Sequence, residues 1–180
     1  MRMLEHLKNI KRHVRGLSLL PLFLFALLLL DISCSSIDCP VQNVVATVYA
    51  LKKSDGTADT LKNASLTVTT RRKNGTDTII LDNVTDISRF QLPIGYSNPE
   101  DTLLFSIKKD TETYADTVYI KKENMPHFES VDCNISYFHT ISDIRLGSHH
   151  AIESISINKS EVNYDLSTEH LHIVFKTTFE

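Results

Sequence analysis

From residue 43 onward, no window of eleven or more residues carries a convincing helical repeat, while short runs alternate apolar and polar residues at every second position. That alternation restricts the chain to strands with one face on a core and one in water. Ser65–Arg71 sets Leu66 and Val68 against Thr67, Thr69 and Arg71. Thr102–Lys108 aligns Leu103, Phe105 and Ile107; Ala115–Lys122 aligns Val118 and Ile120; His170–Lys176 aligns Leu171, Ile173 and Phe175. Asn43–Leu51 is apolar on both faces, as a strand covered on both sides would be. Asp77–Leu81, Phe90–Ile94 with its edge-favouring Pro93, Asp132–Leu146 (one bent strand or two short ones) and Ile152–Asn158 complete the set. Asn74-Gly75 between two alternating runs is a hairpin signal; Lys52–Thr57 and Tyr96–Glu100 read as turns. The expected fold is all-β, a single antiparallel β-sandwich (immunoglobulin-like or related) of eight or nine strands.

The segment before residue 43 differs in kind. Arg2, Lys8, Lys11, Arg12 and Arg15 precede an apolar run, Leu17–Leu30, broken only by Ser18 and Pro21, and Asp31-Ile32-Ser33-Cys34 follows. A basic start, a short apolar run and a small residue before a cleavage point make a secretory signal. The run is short for a membrane span of ~20 residues. A cysteine directly after Ser33 reads as a bacterial lipoprotein signal, with Cys34 diacylated as the mature N-terminus. Two acyl chains give the stable anchoring that one cannot. Asp31 stands where such motifs carry an apolar residue, so an uncleaved anchor and ordinary cleavage leaving a free Cys34 thiol stay open. The expected organisation is a signal peptide over 1–33, a lipidated tether over 34–42 and the sandwich over 43–180.

Charge narrows the partners. Residues 34–180 keep 14 of the 19 Lys+Arg and 20 of the 22 Asp+Glu, a net charge of −6. That balance, with no basic stripe and no interleaved aromatics, argues against nucleic acid. Five scattered glycines exclude a glycine-rich phosphate cradle. With Cys34 acylated, Cys39 and Cys133 are left as a disulfide pair in an oxidising compartment, closing a loop of ~95 residues for ~4 kcal/mol in the chain-entropy model. Two buried free thiols or zinc ligation are the alternatives.

No motif carries a reaction. His170 and His172 are weak metal candidates, ~7 Å apart on one strand face, with two solvent-facing imidazoles as the plainer account and no third ligand fixed by spacing. Asp55-Gly56-Thr57-Ala58-Asp59 lacks the oxygen ligands of a calcium loop. His127, Ser130 and Asp132 lie close together, but no nucleophile elbow surrounds the serine. The plainer roles there are Pro126 halting a strand and Phe128 packing in the core. No cofactor and no enzyme activity are expected. Loops and edges of a sandwich can hold a protein or a glycan. Tyr49, Tyr96, Tyr119, Tyr137 and Tyr164 are candidate contact residues, and zero Trp tilts from glycan toward protein.

The most distinctive wording lies later in the chain: Asn124-Met125-Pro126-His127-Phe128-Glu129-Ser130-Val131-Asp132-Cys133, then Phe138-His139-Thr140, then Val162-Asn163-Tyr164-Asp165. With Asp38-Cys39-Pro40 after the lipid cysteine, it resembles an uncharacterised family of Bacteroidetes envelope lipoproteins from about Cys34 to Phe175. The resemblance implies a small lipid-anchored β domain of the outer membrane or periplasm and brings no catalytic residue with it. It also gives weight to a recurring tripeptide. Asp59-Thr60-Leu61, Asp77-Thr78-Ile79, Asp101-Thr102-Leu103 and Asp116-Thr117-Val118 resemble the Asp-(Ser/Thr)-aliphatic acceptor of the O-glycosylation system in that lineage. Thr60, beside a polar loop, is the favoured acceptor among Thr60, Thr78, Thr102 and Thr117. A turn-ending Asp before a strand-starting Thr would write the same pattern. Only Asp38 is acidic in Ser35–Asp38, which favours the periplasmic face slightly over the cell surface. The expectation is a non-enzymatic structural or protein-interaction role for a lipid-anchored envelope protein; the alternative is a surface glycan-binding accessory lipoprotein.

Overall fold

The computed structural model describes residues 44–72, 75–131 and 133–179. The leader, Cys34, Cys39, Asn74 and Asp132 lie outside those residues. Among the described residues ten strands form: β1 (Ala46–Leu51), β2 (Leu61–Arg71), β3 (Asp77–Ile87), β4 (Arg89–Pro93), β5 (Glu100–Lys109), β6 (Glu112–His127), β7 (Ser136–Leu146), β8 (Ile152–Ile157), β9 (Glu161–Val162) and β10 (Leu171–Phe175). A 3-10 turn follows at Thr177–Phe179. Among the described residues no helix is long and apolar enough to cross a membrane.

The strands make two packed sheets, a four-stranded one in the order β4-β1-β10-β8 and a six-stranded one in the order β3-β2-β5-β6-β7-β9. The all-β sandwich is thus as expected, with one refinement. β1 runs parallel to β10, Tyr49 opposite Leu171, while the other pairings are antiparallel. The strand beyond the expected number is β9, two residues long and too short to show any period.

The alternating residues do build the core. Leu66, Val68, Leu103, Phe105, Ile107, Val118 and Ile120 of the long sheet join Tyr49, Leu51, Phe90, Leu92, Leu171, Ile173 and Phe175 of the short one in a single cluster. Tyr49 stacks on Phe90, ring centroids 4.9 Å apart, and tilts against Phe105 of the facing sheet at 6.1 Å. Each such side chain contributes about 1.5–3 kcal/mol on full burial. All six residues of β1 are buried, in line with its apolar character on both faces.

The β2–β3 hairpin turns at Gly75, where a hairpin is expected. Gly75 takes φ +81°, and its amide donates to the Arg72 carbonyl at 2.8 Å. Beyond Leu81, β3 continues to Ile87 through register shifts, with Asn63, Asn83 and Asp86 at positive φ. Such bulges admit an extra residue and break the simple alternation.

Two expectations about the β6 end are overturned. Pro126 does not halt β6, which runs to His127 with Pro126 opposite Tyr137. Past Lys121 the strand has no partner in β5, and a strand with one open side tolerates a residue that lacks an N–H. Phe128 is 63% exposed, not in the core. The long segment before Leu146 forms one strand, Ser136–Leu146, rather than two.

Candidate functional site

At one end of the sandwich the inward-facing side chains are largely polar or aromatic rather than aliphatic. β1 begins there and β4 ends there, Ala46 opposite Pro93. The last turn of sequence in β6 and the first in β7 complete it, with Lys122, Asn124, Ile141 and His139 sharing the inward face by register.

Lys122 is the least expected of these residues. Period two carries it onto the face of Val118 and Ile120, and its side chain is fully buried. Its ammonium lies 2.8 Å from Asp101 Oδ1 and donates to the Asn98 carbonyl at 3.1 Å. The other Asp101 oxygen accepts the Gly95 amide at 2.9 Å. A Cβ at residue 95 would meet Asp101 Oδ1 at 2.8 Å, so a side chain there would push the carboxylate off this position. Asn124 donates from Nδ2 to the carbonyls of Tyr96 and Asn98, at 3.0 and 3.2 Å. Its Oδ1 therefore accepts, and His139 carries its proton on Nδ1, 2.7 Å away. This network clamps the Tyr96–Pro99 loop onto β6. It presents no nucleophile to solvent.

Burial, then the Lys122 ammonium, hold the His139 pKa down to about 4, against a partial upward pull from Asp101. The unfolded chain binds this proton near 6.5 and the folded chain near 4. Stability from His139 is therefore fully present above pH 6.5 and is lost as pH falls through the folded value. The expected loss is on the order of 2–3 kcal/mol between pH 7 and 4. Urea denaturation across that range should show a shallower pH slope for His139→Gln than for the parent.

The three segments of distinctive wording converge at this end. His127 stacks on Phe138 at 4.1 Å, and Tyr164 meets Phe138 edge-on at 4.9 Å. His139 lies opposite Val162. The Tyr164 hydroxyl is buried without a hydrogen-bond partner. Tyr96 stacks on Tyr137 at 4.6 Å.

The other candidate residues are dispersed. His127 bonds Glu129 at 3.2 Å. The Ser130 carbonyl accepts the Cys133 amide at 3.3 Å. His170 is not solvent-facing, contrary to expectation. It precedes β10, is 1% exposed, and accepts the Val48 amide at Nδ1, 3.0 Å away. That ring closes the ladder between the two ends of the domain, and burial, foremost, lowers its pKa. His172 is half-buried and pairs with Glu169 at 2.9 Å. Asp55 Oδ1 is engaged by the Thr57 amide and hydroxyl in its own turn. Of the four threonines, Thr102 is exposed, while Thr60, Thr78 and Thr117 are half-buried.

Sequence reasoning missed Lys122, Asp101, Asn124 and His139 as a set. A lysine in phase with buried aliphatics was the available signal. A second set was also missed: Asp116, buried in β6, bonds the chain at the start of β8.

Residues 65–175, from β2 to the end of β10, match a family of unknown function, DUF6452. No curated protein matches the chain. No solved structure matches it.

Proposed function

The chain belongs to DUF6452, a family of unknown function, and from that premise we propose a lipid-anchored envelope protein with a non-enzymatic structural or protein-interaction role. The single observation that carries the proposal is the leader, a basic start and an apolar run that end at Ser33-Cys34. Residues 1–33 would be removed, Cys34 acylated, and 34–42 left as the tether of a domain over 43–180. Cys133 is proposed as a disulfide cysteine, in keeping with an oxidising compartment. Cys39 is its proposed partner, which leaves the Cys34 thiol for lipid. The assignment to a Bacteroidetes outer membrane, periplasmic face, rests on the resemblance of the wording quoted above.

A protein partner is favoured over a glycan because the chain has no tryptophan and several tyrosines already stack on neighbours. Tyr49 is buried against Phe90, Tyr96 and Tyr137 cover each other, and the Arg145 guanidinium lies 3.7 Å from the Tyr119 ring centroid. Thr102 is the proposed acceptor if the Asp-Thr-aliphatic tripeptides are glycosylated, being exposed.

The full-length protein tests this reading beside Cys34→Ala. Acylated mass and membrane fractionation are expected for the parent and lost in the variant. A protein recovered from solubilised envelopes only with the lipidated form would support the interaction role. An unacylated parent, or retention on polysaccharide with no protein recovered, would reject it.

A further inference from the structure

Large apolar side chains left in water on this protein are concentrated at one end. Six of the eight exposed ones among the described residues are Val44, Tyr96, Met125, Phe128, Val131 and Ile135. The other two, Ile79 and Leu104, belong to β3 and β5. Met125, Phe128, Val131 and Ile135 are 46%, 63%, 98% and 48% exposed, and all lie at or between the adjoining ends of β6 and β7. Val44 leads into β1 and Tyr96 follows β4 at the same end. An apolar concentration of this kind on an otherwise polar domain marks an interaction surface.

We propose that this β6–β7 tip seats in the surface of a bilayer of neutral, zwitterionic lipid. The proposal rests on the reading that Cys34 is acylated and that Cys39 pairs with Cys133. Cys133 lies in the tip itself, and Cys39 is five residues from Cys34. Five extended residues span at most ~18 Å, so the acyl chains and the tip reach the same membrane surface. The chain enters the domain at Val44, at this same end.

Charge selects the lipid. No lysine or arginine occurs between Glu123 and Ile144, so nothing in the tip's own sequence recruits anionic headgroups. His127 and Glu129 answer each other at 3.2 Å. Phe128 and Val131 are thus free to enter the headgroup and upper acyl region, ~5–10 Å deep, as apolar residues of interfacial segments do.

The chain contains no tryptophan, so Phe128→Trp supplies a single fluorescent reporter in the full-length protein. Ile79→Trp on β3 is the control. Both variants would be purified with their native modification and reconstituted into phosphatidylcholine liposomes carrying brominated acyl chains. The expected result is a blue-shifted emission at residue 128 that shallow bromines quench more than deep ones, and an unshifted, unquenched control. A protein that floats with the liposomes and carries acyl chains by mass, yet reports water at residue 128, would overturn the membrane seat and leave lipidation standing. Emission that shifts only in native envelopes and escapes bromine quenching would overturn it in favour of a protein partner. A protein without acyl mass that stays in solution would overturn both readings together.

Discussion

Replacing Asp116 with alanine should cost about 4 kcal/mol or more of folding free energy, since it strands several buried donors at once. The carboxylate is fully buried in β6, opposite Phe105. One oxygen accepts the Ser148 hydroxyl at 2.8 Å and the His150 amide at 2.7 Å; the other accepts the amides of Ala151 and Ile152 at 2.7 and 2.8 Å. Burial pushes this carboxyl's pKa up, but the amides of His150, Ile152 and Ala151 and the Ser148 hydroxyl outweigh it and leave the pKa below its ordinary value. The ion is thus solvated by the chain it holds. That chain opens β8, an edge strand of the short sheet, so one side chain of the long sheet fixes the entry to that edge strand. A loss of 4 kcal/mol is a large part of the 5–15 kcal/mol typical of a domain and should lower Tm by about 8–16 °C. Calorimetry reads the shift, and amide exchange at Ala151 and Ile152 locates it. Asp116→Asn keeps the shape, yet turns an NH2 toward amide donors, so it should rescue little. A shift under about 2 °C for the alanine variant would mean that water replaces the carboxylate at no cost.

Asp116 also shows what a sequence can and cannot say here. Three of the four Asp-Thr-aliphatic tripeptides look alike in print but do different work. Asp77 pairs with Arg71 across the hairpin, Asp101 holds Lys122 and the Gly95 amide, and Asp116 holds the entry to β8. A turn before a strand accounts for the first two positions; Asp116-Thr117-Val118 lies inside β6, where that account fails. The aliphatic member follows the alternation, buried at Leu61, Leu103 and Val118 and exposed at Ile79.

Alternation was legible because every core-facing residue reports its own side of the sheet. Strand pairing across long separations was not. The parallel β1–β10 ladder is extended by His170, whose imidazole accepts from Val48, 122 residues away, and nothing local marks a histidine for that use. The same spacing that made His170 and His172 look like a metal pair holds only if both belong to the strand. β10 begins at Leu171, so one ring turns inward and the other stays at the surface. Pro126 misled for a related reason. Its meaning depends on whether the strand has a neighbour on its second side, which is a property of the sheet and not of the segment.

Lys122 and Asp101 yield the second large effect, together with a signature that separates charge from packing. Lys122→Met leaves the Asp101 carboxylate without its ammonium in a site where that side chain is 15% exposed. Asp101→Asn leaves the fully buried ammonium without its counter-ion. Each single change should cost about 3–5 kcal/mol, because breaking one side of a buried pair leaves an uncompensated charge. The double variant, Lys122→Met with Asp101→Asn, should recover most of that loss, since an apolar stem replaces the ion and the asparagine oxygen still accepts from Gly95. With single losses of that size and a double-variant cost of about 1–2 kcal/mol, the cycle, read by urea denaturation, should return a coupling of about 4 kcal/mol or more. His139 supplies an independent readout. Its pKa sits at about 4 through burial first and Lys122 next, with Asp101 pulling the other way. Lys122→Met removes the downward push and keeps the upward pull, so an NMR titration should find the His139 pKa clearly above its parent value. In the double variant both charges are gone, burial dominates, and the pKa should fall back toward the parent. Similar stability losses with an unmoved His139 would mean that Lys122 acts through its methylene packing alone, and the charged clamp on the Tyr96–Pro99 loop would have to be abandoned.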